Sequence, residues 1–239
     1  MSLAPTDYDF GKPSNYSFVE SITCSNEETR KAFIEAFGHM LNYNHEQAIA
    51  CFTKCTELDP NCAMAWWGIA YCVSSNYNWA PGLGSGHDAI QQAISVMDHC
   101  TELEKDLINA LSTRHSAEAR DAADPSVLNM GNSPELNVAF AEAMKPLYEK
   151  YTGNLDVTAI YVEALMNLKA WQLWDKDTKT GKITPADDNT LLLVKIMEEA
   201  FESSDEARVH PALCHLYCLS LIHISEPTRQ AEISYAVFC

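Results

Sequence analysis

The sequence predicts an all-α protein, an array of antiparallel helix pairs. Apolar residues recur at three- and four-residue spacing through most of the chain, which is the period of an amphipathic helix. Residues that start and stop helices stand at the ends of those apolar stripes. No stretch alternates apolar and polar residues long enough to make a convincing strand.

Taken in order, residues 1–24 read as an irregular N-terminal segment. Ser25 and Glu28 then have the spacing of a capping box, in which each side chain satisfies an orphan backbone N–H. Behind them Phe33, Phe37, Met40 and Leu41 form one helical stripe. Asn44 is placed to cap a second helix, whose stripe is Ala48, Phe52, Cys55 and Leu58. Asp59-Pro60-Asn61 closes that helix, because proline cannot continue it and disfavours a helical residue before it. Helices are expected to end near Leu58 and restart near Cys62, with Asn61 as the cap. Residues 76–86, NYNWAPGLGSG, read as an irregular loop. Ala89, Ala93, Val96 and Met97 suggest the next helix. Thr101 and Glu104 form another capping box, ahead of Leu107, Ile108 and Leu111. Residues 116–132 are polar and turn-rich, a linker by composition. Ser133-Pro134 has cap and first-turn proline in the preferred order. The helix that follows carries Val138, Phe140, Met144 and Tyr148, with Pro146 a expected kink. Residues 154–168 and 190–201 complete the helical set.

Helix, short turn, helix, Asp-Pro, helix is the grammar of a tetratricopeptide (TPR) unit, and residues 29–75 resemble one such repeat plus the first helix of another. With the consensus proline on Pro60, the small positions fall on Ala36 and Ala48 and the large aromatic on Phe52. Cys55 stands where the unit has its late alanine, and Trp66 takes the first tryptophan position of the following unit. Small residues let paired helices approach, and the aromatic fills the hollow between successive pairs. The resemblance implies that Trp66 lies in the core and Trp67 points elsewhere. Over residues 26–218 the chain also resembles a largely uncharacterised family of TPR-containing proteins. The motifs that carry this are HEQAIACFTKCTELDPNCAMAWWGIAY, NYNW, EKDLINALSTRH, AFAEAMKPLYEKY, YVEALMNLKAWQLWD and HPALCHLY. The resemblance implies a longer helical array with no established enzymatic chemistry.

From Leu219 the chain reads LSLIHISEPTRQAEISYAVFC, which resembles the translation of a transposase-type sequencing-library adapter. Residues 219–229 and 233–239 match its constant blocks, with Gln230, Ala231 and Glu232 where a barcode would be translated. The resemblance implies that the natural protein continues beyond Cys218 and that this array is truncated at its C-terminus. Leu221, Ile222, Ile224, Val237 and Phe238 are then expected to pack poorly. The expected organisation is an irregular segment at 1–24, TPR-like repeats at 25–115, a linker at 116–132, a further TPR-like segment at 133–218 and a non-native tail at 219–239.

The formal net charge is −17, from 33 acidic against 16 basic residues. Such a surface repels phosphate backbones and anionic lipid, so no nucleic acid and no membrane is expected as a partner. The start has no basic, apolar signal pattern, and no stretch reaches the roughly 18 apolar residues of a membrane helix. Nine cysteines without a CxxC suit buried, reduced thiols in a cytoplasmic protein.

Three groups of residues are candidates for function. His210, Cys214, His215 and Cys218 lie close in sequence, and Cys214 and Cys218 share a helix face at a spacing that can hold zinc. The family resemblance implies two histidines four apart here, the first at His215 and the second where Leu219 stands, so the site would be broken in this chain. The alternative is a capped helix start with packed cysteines. WDKDTKTGK at 174–182 superficially evokes a calcium loop. Counted from Asp175, however, Lys179, Thr180 and Ala186 occupy the places for an oxygen ligand, a glycine and a bidentate glutamate, so that reading fails. Trp67, Tyr71, Tyr77 and Trp79, with Trp171 and Trp174, are candidate anchors for a partner, since rigid aromatics make good interface anchors; core packing is the alternative. His39, His45, His87, His99 and His115 are scattered singly and read as surface or core residues. The expected function is a scaffold that binds a protein or peptide and needs no cofactor. The alternative is the N-terminal half of a metal-dependent enzyme whose histidine cluster is completed elsewhere.

Overall fold

The computed structural model describes residues 21–74, 76, 86–115, 117 and 134–225, with side chains as far as Leu221. Their fold is all-α, with one short hairpin. The helices are α1 (Glu27–Leu41), α2 (His45–Leu58), α3 (Ala63–Val73), α4 (Gly86–Val96), α5 (Glu102–Ser112), α6 (Pro134–Lys150), α7 (Leu155–Met166), α8 (Asp188–Ser203) and α9 (Pro211–Ser225). The strands β1 (Trp174–Lys176) and β2 (Ile183–Pro185) pair antiparallel, Trp174 opposite Pro185 and Lys176 opposite Ile183. Each helix packs against the next in sequence, and α9 also packs against α7.

The first helix starts one residue later than its capping-box spacing suggests. Asn26 is the cap, its side-chain oxygen accepting from the Thr29 N–H at 2.8 Å. The Ser25 N–H instead donates to Asp59 Oδ2 at 2.6 Å, while Asp59 Oδ1 accepts from the Asn61 N–H. The aspartate of Asp-Pro thus ties the entry of α1 to the α2–α3 junction, a long-range use that local spacing cannot reveal. As expected, α2 stops at Leu58, and α3 restarts at Ala63. Neither Asn44 nor Asn61 caps through its side chain: Asn44 turns to the His39 ring, and the residue before α3 is Cys62.

Close approach of successive helices depends on size at one position. A Cβ on Gly68 would fall 2.4 Å from the Phe52 ring, so the missing side chain is what lets α3 lie on α2. Phe52 is fully buried and meets Phe33 edge-on, with centroids 5.3 Å apart.

The Thr101–Glu104 capping box forms as the spacing predicts. Glu104 does more than cap: its carboxylate also accepts from the N–H and hydroxyl of Thr23, each at 2.7 Å. Four donors on one buried carboxylate fix the start of the described chain against α5.

Pro134 opens α6 as expected, and Pro146 lies within it. Except for Ala117, the expected linker lies outside the described residues. The hairpin turn is built on Asp177, whose Oδ1 accepts from the Lys179 and Thr180 N–H groups, and Gly181 takes the positive φ of 69°. This agrees with a turn rather than a calcium loop.

Helix α9 runs through Cys218 to Ser225, Leu219 rests against the core, and the Ser220 carbonyl accepts from the Trp174 indole N–H. Of the tail residues expected to pack poorly only Leu221 has a described side chain, and it is half-buried; Ile222, Ile224, Val237 and Phe238 lie outside the described side chains.

Candidate functional site

The aromatic candidates on α3 are buried and engaged. Trp67 is 1% exposed and Tyr71 4%, their rings stacked with centroids 5.2 Å apart. Trp67 donates from Nε1 to the Leu107 carbonyl in the middle of α5 at 3.2 Å. Trp66, expected in the core, is half-buried and donates to the Pro60 carbonyl at 3.0 Å. The two neighbours exchange roles because α5 and α7 cover the face that carries Trp67 and Tyr71, leaving Trp66 at the Asp-Pro junction. Trp67 and Tyr71 therefore present no surface to a partner. Tyr77 and Trp79 lie outside the described residues. Trp174 is half-buried on β1, whereas Trp171 stays 37% exposed, with a left-handed φ of 61°.

Beneath Tyr71 lies a polar centre. Helix α7 is buried at every position after Leu155, so it carries Glu163 into the interior. There Glu163 Oε2 accepts from the Tyr71 hydroxyl at 2.7 Å and from the Tyr43 hydroxyl at 3.2 Å. Tyr43 reaches it because the α1–α2 turn adopts a left-handed φ of 60° at this residue, a conformation unfavourable for an L-residue by roughly 1 kcal/mol. Its ring then packs between two imidazoles, His215 at 4.7 Å and His45 at 5.8 Å between centroids. His45 is held at both ring nitrogens, by the Cys72 carbonyl and the Asn76 amide. Arg114 is buried nearby, its side chain bonded to Asn137 and resting over the Phe140 ring.

Burial dominates the electrostatics of this centre. It pushes the Tyr71 hydroxyl well above its ordinary pKa, with the Glu163 charge adding to the rise. It lowers His45 and His215 below the usual histidine range, against the opposing pull of Glu163. It also lowers Arg114, opposed by Glu163 and Tyr71. Tyr71 is therefore a donor and the two histidines are neutral near pH 7. A recess beside Glu163, walled by Met40, Leu41, Tyr43, Tyr71 and Ile160, has room for about one water molecule. A space of that size suits a lock between α7 and the first three helices better than a substrate pocket.

The sequence singled out neither Glu163, Tyr43, Arg114 nor His45 as parts of one centre. One signal was present: a lone glutamate inside YVEALM, an otherwise apolar helical run, is a charge that burial must match with donors.

The suggested metal group at the C-terminal end does not assemble. His210 is wholly buried with both ring nitrogens in use: Nδ1 accepts from the Leu213 N–H, and Nε2 stands 3.1 Å from Asp156 Oδ1. Cys214 donates to the Arg208 carbonyl, His215 is exposed and lies against the Tyr43 ring, and Cys218 is exposed. Adjacent positions on one helix aim about 100° apart, so four liganding residue types close in sequence need not converge. Among the described residues one set of three does bring liganding atoms together, Glu35, His39 and Cys51.

No model of a known protein family matches the chain, and neither a curated protein nor a solved structure does.

Proposed function

We propose that the chain is a protein–protein interaction module of the tetratricopeptide type, binding a protein or peptide on its outer surface. The observation that carries this reading is the seating of the Phe52 ring against Gly68. A small residue facing a large aromatic at the α2–α3 junction is how helix pairs stack into an interaction array. Trp67 and Tyr71 are committed to the interior, so the anchoring role passes to Trp171. An exposed indole on a constrained backbone loses little freedom when it binds. No helix among the described residues is long and apolar enough to cross a membrane. Among the described residues eight cysteines stand outside any disulfide, which suits a reducing, cytoplasmic setting.

The test is quantitative affinity capture with the wild-type chain and with Trp171→Ala, after circular dichroism has shown equal helicity. At least one stoichiometric partner is expected, bound about tenfold or more weakly by the variant. A chain that binds no partner, or a variant that keeps every partner at full affinity, contradicts the reading.

A further inference from the structure

We propose that Glu35, His39 and Cys51 form a zinc-binding site between the two helices of the first pair. Glu35 and His39 are four residues apart on α1, which puts them on one face a single turn apart. Cys51 comes from α2, the partner helix of that pair. One liganding atom from each lies within 4.8 Å of the other two. In a tetrahedral zinc site with bonds of about 2.0–2.3 Å, neighbouring ligand atoms stand roughly 3.3–3.6 Å apart. Closing the difference takes at most about 1.2–1.5 Å, a distance that side-chain rotation can cover.

Donor chemistry points to the same ion. A thiolate, an imidazole and a carboxylate together suit a borderline-soft cation such as zinc, whereas magnesium and calcium take oxygen ligands. His39 and Cys51 are buried and Glu35 half-buried, so the carboxylate is the side through which an ion enters. Two amides support the set. Gln47 Nε2 donates toward Cys51 Sγ at 3.8 Å, a bond that the zinc-bound thiolate also accepts. The Asn44 amide lies 3.3 Å from His39 Nδ1. It is the amide nitrogen that stands there; turning the amide over brings its oxygen to the ring, where it accepts a hydrogen bond from Nδ1–H and leaves the Nε2 lone pair for the metal, as outer carbonyls do for metal-bound histidines.

Binding breaks the S–H bond of Cys51. The sulfur electron pair forms the Zn–S bond, and the proton leaves to solvent. Glu35 binds as the carboxylate and His39 as the neutral ring, so about one proton is released per zinc. With three protein ligands a fourth position stays open to water. The site stands whether or not the chain also binds a protein partner.

The experiment titrates the metal-free full chain with zinc, and separately with cobalt(II), under reducing conditions. We expect one equivalent of zinc at micromolar affinity or better. Calorimetry in buffers of different ionisation enthalpy should show about one proton released. The cobalt form should show a sulfur-to-metal charge-transfer band. Cys51→Ser should abolish that band, and His39→Gln and Glu35→Gln should each weaken zinc binding by about tenfold or more. The double variant Cys214→Ser, Cys218→Ser should bind zinc as the wild type does. Should Cys51→Ser fail to fold, the half-buried Glu35→Gln decides the matter by its affinity alone. The proposal is overturned if the wild type binds no zinc below about 100 µM, or if cobalt gives no thiolate band. It is equally overturned if affinity survives Glu35→Gln and His39→Gln, or is lost in the Cys214, Cys218 variant.

Discussion

The first three helices and α7 are both packed into the core, but they are held there by different kinds of contact. In α1–α3 the decisive packing contacts join helices consecutive in the chain: Phe33 of α1 meets Phe52 of α2, and Phe52 meets Gly68 of α3. Helix α7 is instead held by partners far away in the chain. Glu163 reaches Tyr71 across 92 positions and Tyr43 across 120, and Asp156 meets His210 across 54. Near-neighbour packing follows from side-chain size and spacing. Long-range polar locking depends on which face the chain folds back to cover, and its buried charge makes that choice specific.

The largest expected effect lies where the two regimes meet. Trp67 is covered by α5 and stacked on Tyr71, so Trp67→Ala should cost about 3–5 kcal/mol on the usual scale for buried aromatics. The half-buried Trp66 should cost markedly less, about 1–2 kcal/mol. Urea unfolding of the two variants checks the order. Equal losses, or a larger loss at Trp66, would break the comparison by returning Trp66 to the core.

A smaller effect is expected from acid. Burial, with Arg114 and His87 adding to it, lowers His115 to about 4, and His45 and His215 are shifted in the same direction. An unfolded histidine titrates near pH 6.5. Above that pH both states are neutral and the native advantage is complete. As pH falls toward 4 only the unfolded chain takes up the protons, so stability is lost across this window. By pH 5 His115 alone should account for roughly 1–2 kcal/mol. The urea midpoint should therefore drop between pH 7 and pH 5, and less so in His115→Gln. A midpoint flat over that range would mean the imidazoles are not held neutral.

Smallest is the probe of the stacking contact. Gly68→Ala puts a methyl group into the Phe52 ring, and overpacking of this kind costs about 1–3 kcal/mol. Because alanine also favours the helix by about 1 kcal/mol, the net loss should be at the low end. Stabilisation in thermal unfolding would show that α2 and α3 do not approach closely at this point.

How legible each part was follows from the same contrast. Helix ends at Leu58 and Pro134 and the Thr101 box could be read because proline geometry and capping are local. The cap at Asn26 and the exchange of Trp66 for Trp67 could not, since Asp59 and the cover from α5 and α7 decided them. His39 and His45 looked scattered because the groups that meet their rings, Asn44 for one and Cys72 and Asn76 for the other, are brought there only by folding. The C-terminal histidines and cysteines looked clustered, yet helix geometry sends them apart.

The most direct test of the lock between α7 and α3 is a double-mutant cycle on Tyr71→Phe and Glu163→Gln. Each removes one side of the 2.7 Å hydrogen bond while keeping the shape of the side chain. Groups in a shared buried network couple by about 0.5–3 kcal/mol, and a hydrogen bond to a charged acceptor falls in the upper half of that range. The account predicts a coupling of at least about 1 kcal/mol in urea unfolding. Additive losses, with coupling below about 0.3 kcal/mol, would contradict it.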